Sequence, residues 1–599
     1  MSSFETHEYD VIVIGAGGAG LRAAIESVAL GSKTAVITKS LLGKAHTVMA
    51  EGGIAAAMGN VYPEDNWEVH FRDTMRGGKM LNNWRMAQLH AQETPDRVWE
   101  LEELGAVFDR TGDGKISQRD FGGHRYARLA HVGDRTGLEM IRTLQQKAVA
   151  DGIEVFMECS ILKLLTNDDG SVCGALGYHR VSGEYVVFKA KAVVLATGGL
   201  GRSWKVTSNS WECTGDGHAL AIWAGAELID MEFIQFHPTG MVWPLSVKGL
   251  LVTEGVRGDG GTLRNSDGTR FMFNYVPEMF RAETADTEEE ADRWYTDKKG
   301  ARRTPDLLPR DEVARAINSE VKAGRGSPHG GVFLDIFSRR DPEYIKRRLP
   351  SMYHQFKQLA GVDITREAME IGPTCHYAMG GVRVDPDTAE STVKGLFACG
   401  EVAGGMHGSN RLGGNSLGDL LVFGRRAGIG ASQYASSCKE PSPQEGEIKS
   451  IVAEADKILT STSGENPFDV LHSLQDTMNE LVGIIRVERE LVEAKDALAK
   501  LSDRARNLSA PGNKGYNTGW HHALDLRCQL TVAQCVTLAA LERKESRGGH
   551  TRDDFPGPDK DHFGKVNLAC SMASGEISVT ETPLPEMPAE LARLFEEAK

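Results

Sequence analysis

Apolar and polar positions along the chain fall into blocks of two different periods. Residues 11–14, Val-Ile-Val-Ile, form an unbroken apolar run, the pattern of a strand covered on both faces. An Ala- and Leu-rich helix is expected over 21–30, stopped by Gly31, and a second strand over 33–39 closes a strand–helix–strand unit. Residues 63–104 read as mainly helical, whereas 152–165 and 171–194 alternate as strands, the second ending in Ala196, Thr197, Gly198 and Gly199. A helix over 311–323 and a last core strand over 395–401 follow. Pro441 and Pro443 mark a linker, and beyond it the period turns helical. Val470, Leu471, Leu474, Met478, Leu481 and Ile485 share one face, and Leu491, Ala494, Leu498, Leu501, Ala505 and Leu508 another. Such stripes are core packing and carry no chemistry.

Gly15, Gly17 and Gly20 stand between the first strand and the first helix in G-x-G-x-x-G spacing. Gly15 allows the tight turn, Gly17 lets the backbone approach a pyrophosphate, and Gly20 lets helix and strand close up. Phosphates then sit on the helix N-terminus, where free N–H groups and the helix dipole favour negative charge. The context of strand, glycines, helix and strand predicts a dinucleotide site. An NAD site carries Asp or Glu about 20 residues past the glycines. Here that place reads Thr38, Lys39, Ser40, with no carboxylate for a ribose, which favours FAD.

At 599 residues the chain is long enough for several domains. Its net charge of −15 argues against a nucleic-acid binder and gives no sign of a basic membrane face. No window approaches 18 uninterrupted apolar residues, and the start, MSSFETHEYD, lacks the basic and apolar regions of a secretory signal. The nine cysteines are scattered without a C-x-x-C pair, so they are expected to be mostly buried free thiols in a reducing cytoplasm, without an iron–sulfur cluster in this chain. Asp113 and Gly114 read as a turn, because the remaining spacing of a calcium loop is absent, and no metal site is expected. Residues 281–306 are a run of charge, acidic in the first half and basic in the second. They are expected to form a solvated surface excursion that does not touch substrate.

Several short motifs recur in a fixed order over about residues 8–560. They include His-Thr-Val at 46–48 with Gly-Gly-Ile at 52–54, Phe-Gly-Gly at 121–123 and Phe-His-Pro-Thr-Gly at 236–240. Thr-Glu-Gly-Val-Arg-Gly at 253–258, Leu-Pro-Arg-Asp-Glu-Val at 308–313, the segment 373–381, and Gly-Ser-Asn-Arg-Leu-Gly-Gly-Asn-Ser-Leu at 408–417 complete the set. Together they resemble the flavoprotein subunit of succinate dehydrogenase and fumarate reductase. The resemblance implies an α/β fold, a Rossmann-like doubly wound FAD-binding domain interrupted by an α+β capping domain and followed by a C-terminal helical bundle. The corresponding boundaries are 1–241 and 366–433 for the FAD-binding domain, 242–365 for the cap, 434–548 for the helices and 549–599 for a C-terminal segment.

The same resemblance implies FAD bound covalently through His46, with contacts from Gly15, Gly17, Gly18, Gly20, Lys39, Ser40, Thr47, Gly52, Gly53, Asp216, Glu401, Ser416 and Leu417. It gives His237 and Thr253 to one substrate carboxylate, and His376 and Arg411 to the other. Phe121 lines the pocket. Arg310 handles the proton, with Glu254 and Arg257 as its relay. The implied reaction interconverts succinate and fumarate by hydride transfer to or from the flavin. Implied partners are a membrane anchor with quinone and an iron–sulfur subunit, on the cytoplasmic face of the cell membrane. The alternatives are the reverse physiological direction, a soluble oxidase of the L-aspartate oxidase type, which typically lacks the flavin-linking histidine, and a flavin-binding assembly protein without turnover.

Overall fold

In the computed structural model, which describes residues 4–596, the apolar run at 11–14 is the end of a longer strand, β1 (Glu5–Ile14). It leads into α1 (Gly18–Ala29) and returns as β2 (Thr34–Ile37). The helix starts at Gly18, earlier than the side-chain pattern suggests, because the glycine loop makes its first turn. Gly17 is the N-cap, and its carbonyl accepts from the Leu21 N–H at 2.9 Å.

β1 lies parallel to β2 on one side and to the strand Tyr185–Leu195 on the other, and β2 is followed outward by Glu154–Phe156. The strand Tyr185–Leu195 forks. Residues in its first half pair antiparallel with Val172–His179, and its last three pair in parallel with Leu396–Ala398. Cys159–Thr166 completes a seven-stranded sheet. Five parallel strands therefore end side by side, at Phe156, Ile37, Ile14, Leu195 and Ala398. The ladder runs one residue further: Gly15 N–H donates to the Ile37 carbonyl, Ala196 to Ile14 and Cys399 to Leu195, at 2.8, 2.8 and 3.0 Å. This carboxyl edge is where doubly wound sheets take ligands.

A second, antiparallel sheet contains Ile234–Met241, Met369–Ala378, Val332–Asp335 and Thr262–Arg264. It has an apolar core of its own, in which Val313 and Ile317 of the helix Arg310–Lys322 pack with Leu334 and Ile371. The strand Ile234–Met241 is irregular, with register shifts between Gln235 and Phe236 and between His237 and Gly240. Such irregularities re-aim side chains. Gln235 and His237 both lie on this strand.

Beyond the linker, helices run over Glu445–Thr460, Pro467–Leu481, Glu488–Ala505 and Thr518–Glu542. Val470, Leu474 and Met478 are buried as the stripe requires, but Ile485 and Leu508 fall outside their helices. Ile485 belongs to a short strand, Ile485–Arg486, paired with Thr551–Arg552 after Gly483 has broken the helical path. All nine cysteines are free, and Cys438 alone is not buried. Among the described residues no helix is long and apolar enough to cross a membrane.

The charged segment 281–306 lies largely at the surface and is also anchored to neighbouring loops. Its charges pair with each other, Arg302 with Glu290 and Asp286, so the chain folds back on itself as a short helix, Glu288–Arg293. That turns Trp294 inward and sends Tyr295, Lys298 and Arg303 onto neighbouring loops. Tyr295 Oη donates to the Arg257 carbonyl at 2.7 Å, Lys298 pairs with Asp120, and Arg303 donates to the carbonyls of Phe121 and His124 at 2.8 and 3.0 Å. The run is a brace against the predicted site.

Candidate active site

Gly15 has φ of +119°, and a Cβ there would run into the Ala196 carbonyl oxygen, so the turn at the end of β1 excludes other residues. Gly20 is closed in the same way by the Gly15 carbonyl. Gly18 N–H donates to Thr47 Oγ1 at 3.3 Å, which ties the glycine loop to the short turn His46–Met49. His46 Nδ1 accepts from the Ser210 N–H at 3.3 Å, and burial pulls the imidazole down to about 4, with Glu212 partly opposing. The ring is therefore neutral near pH 7. Gly52 and Gly53 follow, Gly52 packed against the Phe121 ring and Gly53 at φ +127°.

At the other end of this cradle, Lys39 Nζ lies 2.8 Å from Asp216 Oδ2 and 2.9 Å from Thr214 Oγ1. Its third partner is Asp525 Oδ1, at 2.8 Å, which no local pattern announces. Ser40, just past β2, lines the same cavity. Glu401, just past Leu396–Ala398, accepts from the Ala378 N–H at 3.1 Å, and burial raises its carboxyl to about 7. Ser416 and Leu417 lie in the first turn of the helix Asn415–Ala435.

One cavity runs from the glycine loop past His46 to His237, Thr253, Glu254, Arg310, His376 and Arg411. The residues fit a bound flavin dinucleotide. Thr197 Oγ1, Glu51 Oε2 and Arg411 Nε belong to its lining residues and are buried without a hydrogen-bond partner in the protein. Polar atoms so placed are costly unless a ligand or water satisfies them.

At the far end Glu254 is 2% exposed. Its Oε1 accepts from the Gly122 N–H at 2.7 Å and its Oε2 from Arg310 Nε at 3.0 Å, with Arg257 Nη2 at 3.7 Å. Burial alone would raise this carboxyl; Arg310 and Arg257 outweigh it and hold it down to about 2. Arg257 is fully buried, donates to the Asp306 carbonyl at 2.5 Å, and is pushed down by that burial. Arg310 opens its helix, where a cation is disfavoured by the helix dipole, and Glu254 supplies the countercharge.

Arg411 Nη1 donates to Ser416 Oγ at 2.6 Å, and its guanidinium lies over the Tyr377 ring, 4.2 Å from the centroid. Burial, then Arg310, lowers it to about 10. The His237 and His376 rings meet edge to face at 5.0 Å, and Ser208 Oγ holds His376 Nδ1 at 2.8 Å. Both imidazoles are driven well below the ordinary range, chiefly by burial, then by Arg310 for His237 and by its neighbour His237 for His376. They act as neutral hydrogen-bonding groups. Phe121, 2% exposed, lines the cavity with these groups.

Sequence reasoning missed Gln235. Its Oε1 accepts from Arg411 Nη2 at 3.1 Å and Arg310 Nη1 at 3.3 Å, while its Nε2 donates to Asn410 Oδ1 and the Arg411 carbonyl, both at 2.8 Å. One neutral oxygen is thus shared by two guanidiniums of like charge. Its place two residues before His237 was the available signal, and a weak one, because the register shift between Gln235 and Phe236 breaks the alternation of the strand. Ser208, Tyr377 and Asp306 were also missed, and no local pattern marks them.

The sequence matches the family described as FAD binding domain over residues 10–417, and that described as fumarate reductase flavoprotein C-term over residues 471–592. The solved structure of Mycobacterium smegmatis Sdh1 in complex with UQ1 is similar with a TM-score of 0.87 and 59% sequence identity, covering 99% of this chain and 98% of that one. The succinate dehydrogenase flavoprotein subunit of Rickettsia felis is 36% identical over 600 residues, 96% of this chain and 95% of its own. The fumarate reductase flavoprotein subunit of a Serratia species is 35% identical over 600 residues, 97% of this chain and 96% of its own.

Proposed function

This chain belongs to the family of succinate dehydrogenase and fumarate reductase flavoprotein subunits, and from that premise we propose that it oxidises succinate to fumarate as the catalytic subunit of a membrane-associated succinate:quinone oxidoreductase. The observation that carries the reading is the single cavity that joins a dinucleotide cradle to a pocket rich in cations. Arg310 and Arg411 line that pocket, Arg257 stands behind, and the ionised carboxylate facing them is Glu254. The excess positive charge suits a dianion.

Arg411, with its planar fork of donors, and His376 hold one carboxylate; His237 and Thr253 hold the other. Two fixed carboxylates leave the carbons between them little freedom, which lowers the entropic part of the barrier. Arg310 moves the proton at one carbon, and Glu254 and Arg257 relay it. Arg310 can do so because Glu254 orients its Nε and Gln235 its Nη1. FAD, when bound, supplies the two-electron acceptor. His46 is the attachment point for a covalent flavin, since its half-buried, neutral ring is held through Nδ1 and leaves Nε2 to form the bond. Phe121 packs on Gly52 in the wall of the cavity.

Electrons leave to an iron–sulfur subunit, and the assembly sits on the cytoplasmic face of the membrane, held by an anchor subunit. Fumarate reduction uses the same pocket, and its direction is set by the quinone and the partners. The test is dye reduction by the purified complex with succinate or L-aspartate as the electron donor, beside oxidation of a reduced dye by fumarate. Succinate-dependent reduction with no response to aspartate is expected. Turnover with aspartate alone refutes the reading.

A further inference from the structure

The end of β2 is where a dinucleotide-binding fold normally supplies the acid that holds a ribose hydroxyl. The sequence has Lys39 there instead. The fold brings a carboxylate to the same spot from elsewhere. Asp216, at the start of the helix Asp216–Trp223, lies 2.8 Å from Lys39 Nζ and belongs to the lining of the cavity that contains the glycine loop.

Lys39 is not free to act as a cationic ligand. An ammonium has three donors, and all three are used, by Thr214 Oγ1 at 2.9 Å, Asp216 Oδ2 at 2.8 Å and Asp525 Oδ1 at 2.8 Å. Its side chain is 9% exposed and that of Asp525 is 8%. Asp525 lies on Thr518–Glu542, in the helical half of the chain, and its other oxygen faces Arg180 Nη1 at 3.8 Å. A smaller cavity behind the pair is lined by Asp216, Asp525, Tyr178 and Cys528. Burial works against the charge on Lys39, and the two carboxylates more than restore it.

A buried ammonium held between two carboxylates has one geometry. Asp525 shares Lys39 with Asp216, which takes the ammonium on Oδ2 at 2.8 Å and the Thr214 hydroxyl on Oδ1 at 2.6 Å; a carboxylate so held still has lone pairs for a donor in the cavity it lines. Without Asp525 the ammonium loses a partner and collapses onto Asp216, which is then spent on the lysine. We propose that the helix Thr518–Glu542 completes the dinucleotide site, with Asp525 fixing Lys39 and Lys39 fixing Asp216 as the acceptor for a ribose hydroxyl of the adenosine half. Asp525 and Lys39 are positioning residues, and Asp216 touches the ligand. The inference rests on the FAD reading and extends it to a helix of the C-terminal bundle, beyond the apolar stripes of 470–508.

The experiment titrates apoprotein in the His46→Ala background, where flavin exchanges freely. FAD is followed by fluorescence quenching. ADP serves as probe of the adenosine half and FMN as probe of the flavin half. Asp525→Asn and Lys39→Met should each weaken FAD and ADP by about tenfold, as expected for a lost hydrogen bond to a charged group, and leave FMN within twofold. The double variant should be no worse than either single one, because the two residues act as one unit. Asp525→Glu keeps the charge and displaces it by one methylene; a loss of ADP affinity without a loss of melting temperature tests the same claim should Asp525→Asn fail to fold. Unchanged ADP affinity in these variants, or equal loss of ADP and FMN, overturns the inference in favour of a purely structural tie. Failure of the parent protein to take up FAD at all refutes the cofactor reading, and this inference with it.

Discussion

Replacing Glu254 with glutamine keeps the shape of the side chain and removes its charge. In the folded protein that carboxylate meets Arg310 Nε at 3.0 Å, Arg257 Nη2 at 3.7 Å and the Gly122 N–H at 2.7 Å, with 2% exposure. The gap between its ordinary 4.5 and about 2 corresponds to about 3 kcal/mol. Breaking a buried ion pair from one side costs roughly 3–5 kcal/mol by an independent route, so the two agree in scale. The pKa is depressed by folding, so the stabilisation is fully present above 4.5 and lost as pH falls toward 2. Glu254→Gln should therefore lower stability by about 3 kcal/mol at pH 7. The difference should shrink steadily below pH 4.5. Turnover should fall by roughly 10²–10⁴, the range for a lost acid–base group, because Arg310 loses its orientation and its relay. The assay is urea unfolding from pH 7 down to pH 3 beside succinate-dependent dye reduction. A stability difference under about 1 kcal/mol at pH 7, or one that persists unchanged in acid, refutes the electrostatic reasoning.

His46→Ala should lose the flavin fluorescence that survives on a denaturing gel while still binding FAD loosely. It should lose succinate oxidation more than fumarate reduction, because an unlinked flavin is a weaker oxidant. Gln235→Leu removes the shared acceptor of Arg310 and Arg411. The dicarboxylate KM should rise by about tenfold, consistent with hydrogen bonds to charged groups of roughly 1.5–3 kcal/mol, and malonate titration of the flavin absorbance should show the same loss. Deleting residues 286–303 should cut turnover and not merely shorten a loop, since Tyr295, Lys298 and Arg303 brace Arg257, Asp120 and the 121–124 turn. Retention of wild-type kcat and KM by that deletion shows the brace to be dispensable.

Local patterns carried a good part of the architecture. The apolar run, the glycine spacing and the helix after it depend on neighbours in sequence, and β1, α1 and β2 follow from them. The parallel sheet was legible for the same reason, because strands buried on both faces are apolar throughout. What was not legible is the pairing of charges across long stretches of chain. Lys39 is open to a ligand on local pattern alone, and only the fold brings Asp525 to it from the far end of the sequence. Gln235 reads as an ordinary polar residue in a strand; its role exists only where Arg310 and Arg411 converge on it. The segment 281–306 keeps much of its charge at the surface, as a charge run does, but composition cannot say that Arg302, Glu290 and Asp286 pair with one another or that Arg303 reaches the 121–124 turn. Ile485 continued a helical period past a real helix end, since periodicity does not register Gly483 or the strand that follows.

The most direct test concerns Arg310, the residue given the proton. Steady-state succinate-dependent dye reduction and malonate titration of the flavin absorbance are measured on the same preparation of Arg310→Ala. Turnover should be reduced by roughly 10²–10⁴ with malonate affinity within a few-fold of wild type, because Arg411, His376, His237 and Thr253 remain in place. Turnover above about a tenth of wild type, well short of that acid–base range, contradicts the proton-transfer role of Arg310.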